Sequence, residues 1–81
     1  MDPVAAYKRM WELYREAIAS GDPDDFQEAL EASNDIQDWI MKGGFKPLEI
    51  PHFESETVYV AIQCHRAIRA ERVGEFPPIS G

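Results

Sequence analysis

The side chains best suited to metal chemistry in this chain are His52, Cys64 and His65. Zinc and similar ions are bound by such residues when they occur in pairs that can reach one ion, such as Cys-x-x-Cys or two histidines one helical turn apart. Cys64 and His65 are neighbours, and adjacent helical positions point about 100° apart. The spacing therefore predicts no metal site, and we expect Cys64 to be a small buried residue.

Hydroxyl groups are the next candidates for catalysis, since a serine or threonine becomes a nucleophile when a base lies within hydrogen-bonding reach. Ser20, Ser33, Ser55 and Thr57 are better interpreted as turn, small-core or helix-start residues. The carboxylates fall on helix faces that we expect to be exposed. The sequence therefore predicts a protein without catalytic residues, bound cofactor or metal.

A run of acids is the most specific charge pattern. Between Arg15 and Lys42 there are eight acidic residues and no basic residue. Four of the acids recur at i, i+3, i+7 and i+10, which places them on one helix face. No cation is interspersed, so neighbouring acids repel by a few tenths of a kcal/mol per pair. This acidic stripe consists of Glu28, Glu31, Asp35 and Asp38.

The acidic stripe has two interpretations. It predicts a surface for a basic protein partner, or a decoy that imitates nucleic acid and occupies a nucleic-acid-binding protein. The ordinary alternative is solvated charge on the outer face of an amphipathic helix.

Three arginines, Arg66, Arg69 and Arg72, form the basic counterpart near the end of the third predicted helix. We expect them to pair with the acidic stripe in the same chain or in a second copy, or to complement the helix dipole. Phosphate binding is the remaining alternative. The formal net charge of −7 opposes contact with nucleic acid or anionic membranes, so direct nucleic-acid binding is not expected.

Large apolar side chains are concentrated in the first predicted helix, where Met10, Trp11 and Tyr14 lie close together. Core packing is the main expectation, but aromatic residues and methionine are also common at protein interfaces. If the core cannot cover this face, these three residues, together with Phe76 in the tail, are candidates for contact with a partner.

Local signals place three helices. Asp2-Pro3 and Asp22-Pro23 each combine an N-terminal capping side chain with a proline preset for the first helical position. Gly21, Gly43 and Gly74 are placed to end helices. The sequence predicts helices over about 3–20, 23–42 and 54–73, an extended proline-containing connection over 43–53 and a proline-containing tail over 74–81.

Apolar residues recur at helical spacing in each segment. The first stripe is Val4, Tyr7, Trp11, Tyr14 and Ile18; the second is Phe26, Ala29, Leu30, Ser33, Ile36 and Ile40; the third is Val58, Ala61, Ile62, Cys64 and Ile68. We also expect four apolar residues of the connection to lie across the open side of the hairpin: Phe45, Leu48, Ile50 and Phe53.

The 81 residues suffice for one domain with one core, and 44% hydrophobic and 28% charged residues are typical of a folded globular protein. No apolar run is long enough to cross a membrane, and the start Met1-Asp2-Pro3 lacks the features of a signal peptide. A single cysteine agrees with a reducing compartment. We therefore expect a cytoplasmic protein without membrane contact.

Together these patterns predict an all-α, compact three-helix bundle, with the first two helices forming an antiparallel hairpin. The expected function is a small non-catalytic accessory protein that binds a protein partner or itself through the acidic stripe and exposed aromatics. Two alternatives stay open: the acidic decoy, and a subunit of an enzyme or metal site completed by oligomerisation, with His52 or His65 in a shared cleft.

Overall fold

The computed structural model describes residues 2–72, and the side chains of residues 2–70. It confirms the all-α, three-helix bundle: α1 is Pro3–Ser20, α2 is Pro23–Met41 and α3 is Phe53–Arg72. The described residues contain no β-strand. Expectations placed on the tail, including Gly74 and Phe76, lie outside the described residues.

The helix ends follow the local signals in the sequence. The Asp2 carboxylate accepts hydrogen bonds from the backbone N–H groups of Val4 and Ala5, at 3.1 and 3.3 Å. At the start of α2, Asp22 accepts from the N–H of Asp24 at 2.9 Å. Gly21 ends α1 with a φ of 71°, in the left-handed region that favours glycine. These caps confirm the predicted boundaries of the hairpin.

The core lies between α2 and the other two helices, since α1 and α3 each pack mainly against α2 and touch one another less. Its two polar members are satisfied, because the Ser33 hydroxyl donates to the Leu30 carbonyl and the Thr57 hydroxyl donates to the Phe53 carbonyl, each at 2.7 Å. The buried apolar residues are Met10, Tyr14, Ala17, Ala29, Leu30, Ile36, Phe53, Val60, Ala61 and Cys64.

Two of the predicted core stripes are partly wrong. Ile18 is exposed at the end of α1, where Ala17 is buried instead. In α3, Val58 and Ile62 are exposed. The sequence of α3 contains two overlapping apolar stripes, and packing against α2 covers only one of them. The buried stripe has the spacing i, i+4, i+7, i+11 and consists of Phe53, Thr57, Val60 and Cys64.

The connection between α2 and α3 was predicted to be extended over 43–53, but it contains turns at residues 48–49 and 51–52, and Phe53 already begins α3. The N–H of Ile50 donates to the Pro47 carbonyl at 3.3 Å, and the N–H of Phe53 donates to the Ile50 carbonyl at 3.2 Å. Ile50 and Phe53 pack against the core, as expected. Phe45 and Leu48 do not, and both are largely exposed. Phe45 instead packs edge-on against Trp39 of α2, with 5.8 Å between the ring centroids.

No helix in the described part of the chain combines the length and the apolar character needed to cross a membrane.

Candidate functional site

All four residues of the acidic stripe are exposed on α2. Glu31 accepts a hydrogen bond from the Gln27 amide at 3.3 Å. Asp38 forms an ion pair with Lys42 one turn later, with 3.0 Å between Nζ and Oδ2. Both side chains of this pair are mostly exposed, so it contributes little to stability.

The other three acids line a groove between α1 and α2. Glu28, Glu31 and Asp35 face α1 across a volume of about 380 Å³, close to the lower limit of about 300 Å³ for small-molecule pockets. The lining is mostly charged, which suits a partner's side chain better than a drug-like molecule. This acidic groove is completed by Ala6, Arg9 and Leu13 of α1 and Ala32 of α2.

Sequence reasoning missed the contribution of Arg9. The sequence carried a signal for it in the spacing of two triplets. Ala6, Arg9 and Leu13 have the spacing i, i+3, i+7. Glu28, Glu31 and Asp35 have the same spacing. Residues at this spacing share one face of their helix. The antiparallel arrangement of α1 and α2 follows from the two residues that connect them, Gly21 and Asp22, because the helices pack against each other along their length.

The groove acids carry no ion pair with the described basic side chains. Within residues 2–70 the ion pairs are Lys42 with Asp38 and Lys46 with Glu54. Although Arg9 shares the groove, it does not come within 4.0 Å of the carboxylates. Three acids therefore line one concave surface with a single cation beside them.

The predicted partners of the stripe lie elsewhere in the monomer. Arg66 and Arg69 are exposed on α3 and take part in neither of those ion pairs. Arg72 ends α3, and its side chain lies outside the described part of the chain. The described residues thus show no pairing of the arginines with the stripe inside one chain.

Met10 and Tyr14 are core residues, which confirms the packing interpretation and removes both from the candidate partner surface. Met10 has no exposed surface, and the ring of Tyr14 packs edge-on against those of Phe26 and Tyr59, each at 6.4 Å between centroids. Trp11 keeps part of its surface exposed and packs against this core.

A half-buried carboxylate joins α1 to α3, contrary to the expectation that all carboxylates lie on exposed faces. Glu56 Oε1 accepts hydrogen bonds from the Tyr7 hydroxyl and from Trp11 Nε1, the latter at 3.2 Å. The bond to Glu56, followed by burial, raises the pKa of Tyr7. Since the carboxylate is held by two donors of the same chain, it acts as a structural link.

The potential metal ligands are dispersed. His52 and His65 are both exposed, and they lie thirteen positions apart, or about 20 Å along a helix. Glu49 and His52 have the Glu-x-x-His spacing used in helical metal sites, but both lie in the connection rather than on a helix. Within the part of the chain that the structure describes, no three potential metal ligands come together.

Cys64 is fully buried in the core, as expected for a small apolar residue. Burial raises the pKa of its thiol to about 11.

Comparison of the chain with protein-family models, with curated proteins and with solved structures finds no match. The functional interpretation therefore depends on the geometry of the chain itself.

Proposed function

We propose that this is a small non-catalytic interaction protein that binds a basic segment of a protein partner in its acidic groove. One observation carries the proposal: Glu28, Glu31 and Asp35 line one groove and form no ion pair with a described basic side chain. A sequence selected for stability alone would intersperse cations among these acids.

The chemistry of the groove suits a lysine or arginine side chain. The three carboxylates create a local negative potential that attracts a cation and speeds its encounter. The lining side chains of Ala6 and Leu13 offer apolar surface to the aliphatic part of a long basic side chain. Arg9 repels a second cation nearby, which favours partners with an acidic or neutral residue at that point.

The same charges support a protein partner over nucleic acid. The net charge of −7 opposes approach to a phosphate backbone. We place this interaction in the cytoplasm, because the single cysteine is a free, buried thiol that needs no oxidising compartment.

The test is binding of a fluorescein-labelled amphipathic peptide of lysine and leucine, followed by fluorescence anisotropy. In the groove variant Glu28→Gln/Glu31→Gln/Asp35→Asn we expect at least tenfold weaker binding than in the wild type. Raising the salt concentration from 50 to 300 mM should weaken wild-type binding by a similar factor, because the attraction is screened.

A matched control separates the groove from the net charge. Glu12, Glu16 and Glu49 are exposed acids that do not line the groove, and their triple replacement by glutamine changes the charge by the same amount. This variant should keep binding within twofold of the wild type. Equal losses in the two variants would attribute binding to overall charge and overturn the proposal.

A second candidate, the acidic decoy, is supported by the same exposed acids, since a decoy needs carboxylates that are free of internal cations. The decoy and the binding of a basic protein segment differ in one expected result. Partners retained by the wild-type chain and lost by the groove variant would be nucleic-acid-binding proteins, and added duplex DNA would displace them from the chain. Partners that DNA does not displace would exclude the decoy.

A further inference from the structure

The outer face of α3 carries an apolar patch that the bundle leaves uncovered. Val58, Tyr59 and Ile62, called the α3 patch below, are 39, 51 and 49% exposed. Tyr59 contacts Tyr14 of α1 edge-on, with 6.4 Å between the ring centroids, and Ile18, one helical turn after Tyr14, is 57% exposed. Adjacent exposed apolar side chains of this kind mark interaction surfaces.

The charges on this face are arranged by sign. Along the axis of α3, at 1.5 Å per residue, Glu54 lies about 12 Å before Ile62 and Arg69 lies about 10 Å after it. Arg66 lies between, one turn after Ile62. The face is therefore acidic at its beginning, apolar in the middle and basic at its end.

Such an order is complementary to itself when two helices run in opposite directions. We propose that the chain forms a homodimer in which α3 packs antiparallel against α3 of a second copy, with Ile62 at the twofold axis. Antiparallel pairing about Ile62 places Val58 of one copy at the level of Arg66 of the other, and Glu54 next to Arg69 of the other. The twofold axis repeats both pairs in the second half of the interface. A twofold interface uses the same patch on each subunit.

The spacing of the exposed face supports this packing. Ser55, Tyr59, Ile62, Arg66 and Arg69 follow steps of four and three residues, the pattern that forms a seam between two packed helices. Arg66 lies over the Tyr59 ring of the other copy, a cation–π contact. Glu54 accepts a bond from Lys46 through Oε1 at 2.9 Å, and a carboxylate has a second oxygen for Arg69.

This dimer does not rest on the acidic groove, because the groove lies between α1 and α2 and the α3 patch is on α3. It also differs from a dimer held by Arg66 and Arg69 against the acidic stripe. Substitutions in the α3 patch should weaken the dimer at least tenfold and leave the binding of the lysine–leucine peptide unchanged.

Disulfide trapping tests the geometry directly. In Ile62→Cys the two new thiols face each other at the axis, so mild oxidation of the full chain should give a covalent dimer. The wild type is the first control, since its one cysteine is buried. Glu31→Cys, on the acidic stripe, is the second. Equal trapping in Glu31→Cys and Ile62→Cys, or no trapping in Ile62→Cys, would overturn the proposal.

Solution mass is the second measurement, by sedimentation equilibrium of the full chain at 100 μM. We expect a wild-type dimer that is at least tenfold weaker in Ile62→Asp, with unchanged helical circular dichroism. Neutralising Glu28, Glu31 and Asp35 should leave the dimer intact. A wild-type monomer overturns the proposal, and if Phe76→Ala then dimerises, the tail is the occupant of the α3 patch.

Discussion

At the scale of single residues, Glu56 links α1 to α3 by hydrogen bonds. These two helices contact each other less than each contacts α2. Among the described residues, the side-chain hydrogen bonds between α1 and α3 are the two that Glu56 accepts from Tyr7 and Trp11. Removing it leaves two partly buried donors without their acceptor, which costs about 1–3 kcal/mol.

We therefore expect Glu56→Ala to lower the free energy of unfolding by about 1–3 kcal/mol in urea titration. Glu54→Ala is the matched control, because it removes an exposed carboxylate two residues earlier whose pairing with Lys46 is worth about 0–1 kcal/mol. Similar losses in the two variants would show that the Glu56 bonds do not stabilise the bundle.

A second residue-scale prediction concerns Cys64. Its thiol is fully buried, and its pKa is raised to about 11 by burial, so about one molecule in a thousand carries the reactive thiolate at pH 8. In the native protein we expect no measurable reaction with a disulfide reagent such as DTNB within an hour, and one reacting thiol after unfolding in urea. Rapid reaction of the native chain would contradict the burial.

At the scale of elements, the start of α2 tests the capping interpretation. Asp22→Ala removes the acceptor of the Asp24 N–H and should lower the free energy of unfolding by about 1 kcal/mol. The control is Asp35→Ala, an exposed change in the middle of the same helix, for which we expect an effect within about 0.5 kcal/mol. Thermal unfolding followed by circular dichroism measures both.

A substitution in the acidic stripe should raise the free energy of unfolding. Glu31→Lys places a cation three residues after Glu28 and four before Asp35, and each new pair should stabilise α2 by about 0.2–0.5 kcal/mol. The same variant should bind the lysine–leucine peptide at least tenfold more weakly. A chain that becomes more stable while losing its partner would indicate that the stripe serves binding, whereas unchanged binding would count against the groove.

At the scale of the whole molecule, stability should fall in alkaline solution. Burial raises the pKa of Tyr14 and of Cys64, and the bond to Glu56 raises that of Tyr7. The folded state therefore holds these protons more tightly than the unfolded chain, in which cysteine and tyrosine titrate near pH 9 and 10. The contribution of the thiol is complete below about pH 8 and is lost as the pH rises through about 9–11. The contributions of the two tyrosines are lost above about pH 10.

Urea titrations at pH 7.5, 9 and 10.5 should show a steady decrease in the free energy of unfolding. The decrease should be shallower in Tyr7→Phe, which has no phenol to titrate at that position. Stability that stays constant or rises with pH would contradict the direction of these pKa shifts.

Much of the architecture was predictable because its signals are local. Asp22, Gly21 and the prolines act within one helical turn, so they fix where α1 ends and α2 begins whatever the surroundings. The exposure of the acidic stripe follows in the same way, since its spacing places all four acids on one face of α2, outside the buried stripe. The sequence by itself thus determined the three helices and their charged surface.

Tertiary packing decided what local spacing left open. In α3, Val60 and Cys64 on one stripe and Val58 and Ile62 on the other both have helical spacing, and only the position of α2 selects the first for burial. The burial of Met10, the groove position of Arg9 and the link through Glu56 likewise depend on a neighbouring helix. Helical periodicity specifies which residues share a face, whereas contact with other helices determines which face is covered.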